Sequence, residues 1–284
     1  MKIFKKVIII VLLVVISIGL LFIGNGYNMY KSAIEETSLN EKVEEIREKD
    51  NYTKLSELPQ IYINAVISVE DHRFYTHPGI DIIAIGRAAI NDIKAMSYVE
   101  GGSTITQQLA KNMYFTQEKK MVRKIAEVFM AFKIEGEYEK DEILELYINT
   151  AYFGNGYDTV KEASEGYFGK EPKDMTDGEA IMLAGIPNAP SVYNPKENPK
   201  LAKERQKQVA DKMVEYGYLS KEKEDEILEE DLPDYTKEYV EANEHIVMGY
   251  KNSKDYVVFT DKKMILFDRD TLAIYYKKIH IIPY

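Results

Sequence analysis

SVEDHRFYTHPGID, residues 68–81, is the stretch on which the reading of this chain turns. It follows the apolar run YINAVI, residues 62–67, whose composition predicts a buried helix, with Ile63, Val66 and Ile67 on the inner side. Glu70, Asp71, His72 and Arg73 then stand together at the end of that helix, and His77-Pro78-Gly79 mark a turn. Desolvation disfavours the charged form of a carboxylate, so Glu70, leaving an apolar surface, is suited to general acid or base work. The same residues also fit a plainer reading, a salt-bridged helix end made by Glu70, Asp71 and Arg73.

Upstream, MKIFKKVIIIVLLVVISIGLLFIGNGY opens the chain with Lys2, Lys5 and Lys6 ahead of an apolar run from Val7 to Ile23. That run approaches the roughly 20 residues needed to cross a bilayer. A cleaved leader would have a shorter apolar core and a small-residue cleavage site, for which Gly19 to Asn25 is poor. Residues 1–25 therefore read as a single-pass anchor in the cell membrane. Its lysines keep the N-terminus cytoplasmic and leave everything after about residue 25 extracytoplasmic. Residues 26–59, polar and partly helical up to Pro59, read as a stalk.

The chain has 284 residues, 45% of them apolar, enough for one sizeable domain plus attachments. A net charge of -10 argues against a nucleic-acid partner, which demands a basic footprint. Cysteine is absent, in keeping with an extracytoplasmic domain without disulfides. Residues 60–220 are patterned as helices throughout and form the main domain. Thr104 with Gln107, and Thr176 with Glu179, have capping-box spacing, while Pro187 and Gly217 read as stops. A helix from about Pro199 carries Leu201, Arg205, Val209 and Met213 in register. Residues 221–243 read as an acidic helix and linker. From residue 244 to 284 the period changes: β-branched and aromatic residues cluster between Thr-Asp-Lys and Asp-Arg-Asp turns, predicting three or four short strands.

Three further clusters could carry chemistry. In EGGSTITQQLAKNMYF, residues 100–115, Thr104 caps a helix, and Thr104, Gln107, Gln108 and Lys111 occupy adjoining turns opposite Ile105 and Leu109. Its glycine-flanked helix start also fits a phosphate cradle. In RKIAEVFMAFKIE, residues 123–135, Arg123 and Glu127 are four apart and share a face, which by itself reads as an ordinary ion pair. ILELYINTAYFGNGYDTVKEASEGYFGK and MLAGIPNAPSVYNP, residues 143–170 and 182–195, interrupt helices with aromatic, Gly and Pro turns.

Five motifs in this order, EDHRFYTHPGID, GGSTITQQLAKN, RKIAEVFMAFKIE, ILELYINTAYFGNG and LAGIPNAPSVYNP, resemble those of the peptidoglycan glycosyltransferases (family 51), over residues 60 to about 200. That family occurs as monofunctional enzymes and as the first domain of class A penicillin-binding proteins. The resemblance implies a mainly α, lysozyme-like domain with a larger head and a smaller, membrane-facing jaw around a cleft. The apolar jaw surface is expected after Asp81 in IIAIGRAAI and at Met113 to Phe115. No Ser-x-x-Lys ahead of a Lys-Thr-Gly follows, so a monofunctional enzyme is expected.

The reaction implied joins lipid II to a lipid-linked growing glycan chain with inversion, and implies cell-wall synthesis partners. Carried over by motif, Glu70 is the general base toward the acceptor 4-hydroxyl. Glu127 assists departure of the pyrophosphate or holds a divalent cation, Mg or Mn. Lys111, Arg123 and Lys124 fall at cationic positions near the pyrophosphates, and Ser103, Thr104, Gln107, Gln108 and Asn112 at polar positions lining the cleft. Where the family commonly has Tyr-Gly, this chain has Asp158-Thr159, which puts the local backbone and substrate contacts there in question. KDYVVFTDKKMILFD and KIHIIPY resemble the opening strands of bacterial pleckstrin-homology-like domains. Such a domain needs more strands than remain, so the tail is expected to be truncated or to pair with something else.

Two rivals remain at this level. A glycan-cleaving lysozyme-like enzyme also uses one desolvated Glu, but it does not call for the cationic set Lys111, Arg123 and Lys124. A catalytically silent membrane-anchored scaffold does not call for Glu70 and Glu127.

Overall fold

The computed structural model describes residues 2–95, 101–115, 121–229, 246–251, 256–260, 262–268 and 278–283. Glu100, most of the acidic linker and most of the Asp-Arg-Asp turn fall outside them. The chain divides into two compact units, Met1–Pro59 with Val69–Asp174, and Gln60–Ser68 with Met175–Tyr284. The mainly α expectation holds, with a small β-rich segment at the C-terminal end.

The first unit holds α1 (Lys2–Glu36), α2 (Leu39–Arg47), α4 (Ile82–Ala95), α5 (Ile105–Tyr114), α6 (Met121–Glu137), α7 (Lys140–Ile148) and α8 (Val160–Phe168). Helix α3 (Gln60–Glu70) contributes its last two residues. The core forms where α5 packs on α6 and α7. Ile105 and Leu109, Met130 and Ile134, and Ile143 with Leu146 are all buried, at the three- and four-residue spacings that put one helix face inward. Each such side chain contributes roughly 1.5–3 kcal/mol on leaving water.

Among the described residues α1 is the one helix long and apolar enough to cross a membrane. Val7–Ile16 are exposed throughout, and Ser17 Oγ within the run donates to Leu13 O at 2.8 Å, so its hydroxyl needs no water. The helix does not stop near residue 25, as the anchor boundary supposed, but runs on to Glu36.

The stalk expectation for residues 26–59 is corrected in the same region. Leu39, Val43 and Ile46 of α2 are buried, and α2 packs on α7. Arg47 pairs with Glu142 at 2.9 Å, and Thr53 exchanges two hydrogen bonds with the Asn149 side chain, at 2.9 and 2.8 Å. The polar composition hid this because the polar groups are consumed by α7 rather than by water.

The second unit contains α9 (Asp177–Gly185), α10 (Pro199–Glu215) and α11 (Lys221–Glu229), with most of α3. Gly185 lets α9 and α10 approach closely, since a Cβ there would meet Arg205 Cγ at 2.8 Å. The buried face of α10 is Ala202, Gln206, Val209, Ala210 and Met213. Leu201 and Arg205, placed on that face by the sequence pattern, are displaced from it: Leu201 is exposed, and Arg205 Nε donates to Gly185 O at 3.2 Å. The inner face follows the small residues that permit close packing rather than the largest apolar one. Gly217, at φ 76°, ends α10 as expected, and α9 stops at Gly185, two residues before Pro187, which lies in a short 3-10 turn, Ile186–Asn188.

Four antiparallel strands, β1 (Ile246–Lys251), β2 (Tyr256–Thr260), β3 (Lys263–Asp268) and β4 (Lys278–Pro283), pair in chain order. Val258 stands opposite Ile265, and Ile265 opposite Ile281, so β3 is paired on both edges and its Ile265 is buried.

Candidate active site

Glu70 is the last residue of α3, and the chain turns sharply after it. Asp71 makes that turn rigid. Its Oδ2 accepts from the Ile105 backbone N–H at 3.0 Å, and both its oxygens lie within 3.0 Å of His77 Nε2. His77 Nδ1 accepts from Gly79 N–H at 3.2 Å, so the proton sits on Nε2 and points at Asp71. Gly79, at φ 91°, lies so close to α6 that a Cβ would meet Glu135 Cγ at 3.0 Å. Arg73 pairs with Asp81, not with Glu70 or Asp71, which corrects the salt-bridged helix end. Burial raises the Asp81 carboxyl, but Arg73 and the Ala84 N–H outweigh it and hold it below the ordinary carboxylate value. The pairing of Asp71 with His77 was not read from the sequence; its signal was the His-Pro-Gly turn six residues past an acid.

Gln108 on α5 reaches Glu70: its Nε2 donates to Glu70 Oε2 at 2.8 Å. The Glu70 carboxylate can only accept, which sets the orientation of the Gln108 amide, and Tyr147 OH donates weakly to its carbonyl at 3.4 Å. Lys111 lies one turn further along α5. Burial pulls its ammonium below the ordinary lysine value, the carboxylates of Glu127 and Glu70 oppose that, and Lys124 and Arg123 reinforce it. Lys111 thus shares one electrostatic neighbourhood with both acids and both other cations.

Helix α6 supplies the second acid. Glu127 is only 1% exposed, with Arg123 Nε 2.9 Å from Oε1 and Lys124 Nζ donating to Oε2 at 2.8 Å. Lys124 also donates to Ser103 Oγ at 2.6 Å, binding the turn before α5 to α6. The Arg123–Glu127 ion pair is real, but it belongs to a four-residue network rather than to a solvated helix face.

Of the polar residues expected to line a cleft, Ser103 and Gln108 join this cluster and Asn112 is half-buried on α5. Thr104 and Gln107 serve as the cap that their spacing predicted. They are 1% and 2% exposed and form the reciprocal cap of α5: Gln107 N–H donates to Thr104 Oγ1 and Thr104 N–H to Gln107 Oε1, each at 3.1 Å. Thr104 Oγ1 also donates to Gly79 O at 2.6 Å. Thr104 Oγ1 and Gln107 Oε1 thus hold the start of α5. Asp158-Thr159, the departure from the motif, likewise serves a helix: Thr159 caps α8 by accepting from Glu162 N–H, and Asp158 N–H donates to Glu162 Oε2 at 2.7 Å.

The divalent cation implied by the motif finds a poor donor set. No group of three or more His, Asp or Glu side chains among the described residues is arranged to hold a metal ion. Each Glu127 oxygen already faces a cation, and Lys111 adds a third positive charge nearby. What this cluster can do is take a proton at Glu70 and spread negative charge over Lys111, Arg123 and Lys124.

Known proteins bear on this geometry as follows. A family model described as Bacterial PH domain matches residues 218–284, so the pleckstrin-homology-like likeness takes in α11 as well as the strands. Over 185 residues the chain is 44% identical to Penicillin-binding protein 1A of Neisseria gonorrhoeae, covering 65% of this chain and 23% of that protein. Over 166 residues it is 48% identical to Penicillin-binding protein 1F of Bacillus subtilis, covering 58% of this chain and 23% of that protein. The match thus spans under a quarter of the length of these curated relatives. The crystal structure of Penicillin-Binding Protein 1A from Haemophilus influenzae aligns over 66% of this chain and 20% of that one, with a TM-score of 0.39 and 24% identity. A family model described as Transglycosylase matches residues 36–214, which hold Glu70, Glu127 and the three cations as well as the packed segment once read as a stalk; the chain belongs to the transglycosylase family.

Proposed function

We propose that this chain is a membrane-anchored peptidoglycan glycosyltransferase that polymerises lipid II onto a lipid-linked glycan chain and releases undecaprenyl pyrophosphate. The observation that carries it is the buried Glu127 with Arg123 Nε at 2.9 Å and Lys124 Nζ at 2.8 Å, on the helix packed against α5, whose Gln108 holds Glu70 at 2.8 Å and which carries Lys111 one turn further on. A proton acceptor and a set of cations held in one cluster are what transfer from a pyrophosphate requires, and hydrolysis of a glycosidic bond gives no use to three cations.

In the proposed step Glu70 takes the proton from the acceptor 4-hydroxyl as its oxygen bonds to the anomeric carbon from the side opposite the leaving group. The bond from that carbon to the pyrophosphate breaks, the anomeric centre inverts, and the electron pair leaves with the pyrophosphate. Lys111, Arg123 and Lys124 stabilise the charge that develops there. Glu127 acts by holding Arg123 and Lys124 in place. Gln108 keeps the Glu70 carboxylate aimed. No step is routed through a metal ion. The anchor is α1, with the N-terminus cytoplasmic and the remainder of the chain outside.

Incubation of the purified full chain with lipid II, followed by gel separation of the products, tests this reading. A ladder of glycan polymer is expected. Absence of polymer, or shortening of preformed glycan instead, overturns it.

A further inference from the structure

Helix α1 packs on α6, and the point at which it is most deeply seated there is a single glycine. Among its described side chains from Phe4 to Glu36, Gly26 alone is buried, while Leu20 to Asn25 before it and Tyr27 to Met29 after it are exposed. Its neighbour is α6: a Cβ at Gly26 would meet Ile125 Cγ2 at 2.5 Å, Ile125 Cβ at 2.6 Å and the Val122 carbonyl oxygen at 3.1 Å. Glycine in a helix interior costs about 1 kcal/mol relative to alanine, and here it permits a contact that no side chain would.

Past the seat the two helices stay together. Tyr27 meets the Phe129 ring edge-on at 5.3 Å and Tyr30 lies 5.9 Å from the same ring. Gly26 pairs with Val122 and Ile125, and Tyr30 with Phe129, so both helices advance in the same direction.

This register sets a height. The apolar run ends at Ile23, and Gly26 stands three residues further along an unbroken helix, which is about 4.5 Å. Arg123 and Glu127 lie two residues to either side of Ile125, about 3 Å each way along α6. The headgroup layer on one side of a bilayer is about 5–8 Å thick. With the apolar run in the hydrocarbon, Arg123, Lys124 and Glu127 fall within that layer, where a lipid-linked pyrophosphate carries its charge.

We propose that the α1–α6 seat is a depth gauge: Gly26 is a positioning residue that holds the cations of α6 at the level of a lipid-borne pyrophosphate. The proposal rests on the function given above and adds that the anchor helix belongs to the catalytic unit rather than serving as a tether.

The test uses the full chain with lipid II, in detergent micelles, which impose no fixed depth, and in lipid vesicles. Gly26→Ala is expected to lower the rate at least fivefold in vesicles and less than twofold in micelles. Adding Ile125→Gly, which opens the space the new Cβ needs, is expected to restore the vesicle rate to within twofold of the parent. An unchanged vesicle rate, an equal loss in micelles, or no restoration by Ile125→Gly overturns the gauge. A second variant leaves the seat intact. Four leucines inserted after Val15 lift the domain by about 6 Å, and its vesicle rate is expected to fall and then recover in bilayers of longer acyl chains. Indifference to bilayer thickness also overturns the gauge. Absence of polymer from the unmodified chain in micelles overturns the function itself, a result separable from all of these.

Discussion

Gln108 Nε2 donates to Glu70 Oε2 at 2.8 Å, and that bond joins the middle of α5 to the last residue of α3 across 38 positions of sequence. It holds the proposed base against the helix that also carries Lys111. Glu70→Gln keeps the shape and removes the base, so polymer formation is expected to fall roughly 10²- to 10⁴-fold, with the circular dichroism spectrum unchanged. Gln108→Ala, which frees the carboxylate but leaves it chemically able, is expected to cost less than Glu70→Gln. Near-parental polymerisation by Glu70→Gln sinks the mechanism.

Arg123 and Lys124 are proposed to serve the leaving group while neutralising Glu127. Arg123→Ala leaves Glu127 buried with Lys124 as its remaining ion-pair partner. Removing the partner of a buried charge costs about 3–5 kcal/mol, and the surviving lysine should reduce this to about 1–3 kcal/mol in urea unfolding. Rate and affinity for a pyrophosphate-mimicking inhibitor are expected to drop together. Loss of rate with unchanged inhibitor affinity would remove Arg123 from the leaving-group site.

Chelation separates the protein's own cations from a bound metal ion. With both Glu127 oxygens facing Arg123 and Lys124, polymerisation is expected to persist in EDTA. Complete loss of polymer, restored by added Mg or Mn, would return the divalent cation to the site.

Thr104 is assigned to the fold, and its removal should read as instability. Thr104→Ala loses the cap of α5 and the bond to Gly79 O, an expected cost of about 1–2 kcal/mol in chemical denaturation. Thr104→Ser retains the hydroxyl and should recover most of it. At temperatures where the alanine variant is folded, its rate per molecule is expected to stay within a few-fold of the parent. A collapse in rate with normal stability would restore Thr104 as a ligand contact.

Burial brings the Lys203 ammonium on α10 down from 10.5 to about 8. At pH 7 the amine is charged whether the chain is folded or not, and the buried charge costs the fold about 3 kcal/mol. Above pH 8 the folded protein releases this proton before the unfolded chain does, so the unfolded state holds more protons and stability from this group rises up to about pH 10.5. Lys203→Met removes the charge along with a 3.1 Å bond to Gln206 Oε1, and is expected to be more stable at pH 7 and to lack that upward slope. Parallel stability curves for parent and variant between pH 8 and 10 would contradict this.

Features that depend on neighbours within a turn or two were legible in the sequence: the end of α3 at Glu70, the reciprocal cap at Thr104 and Gln107, the Arg123–Glu127 pair on α6, and the apolar length of α1. Capping and four-residue spacing are consequences of local backbone geometry, so residue type and interval suffice to read them. Which polar groups were left for chemistry depended on the packing of distant segments. Thr104 and Gln107 matched the same motif as Ser103 and Gln108, yet the first two bond to each other and the others reach Lys124 and Glu70. The polar segment before Pro59 read as a spacer because its partners, Glu142, Glu145 and Asn149, lie about a hundred residues away. Composition reports that a group needs a hydrogen-bond partner, and only the packed fold says whether that partner is water, a substrate or another part of the chain.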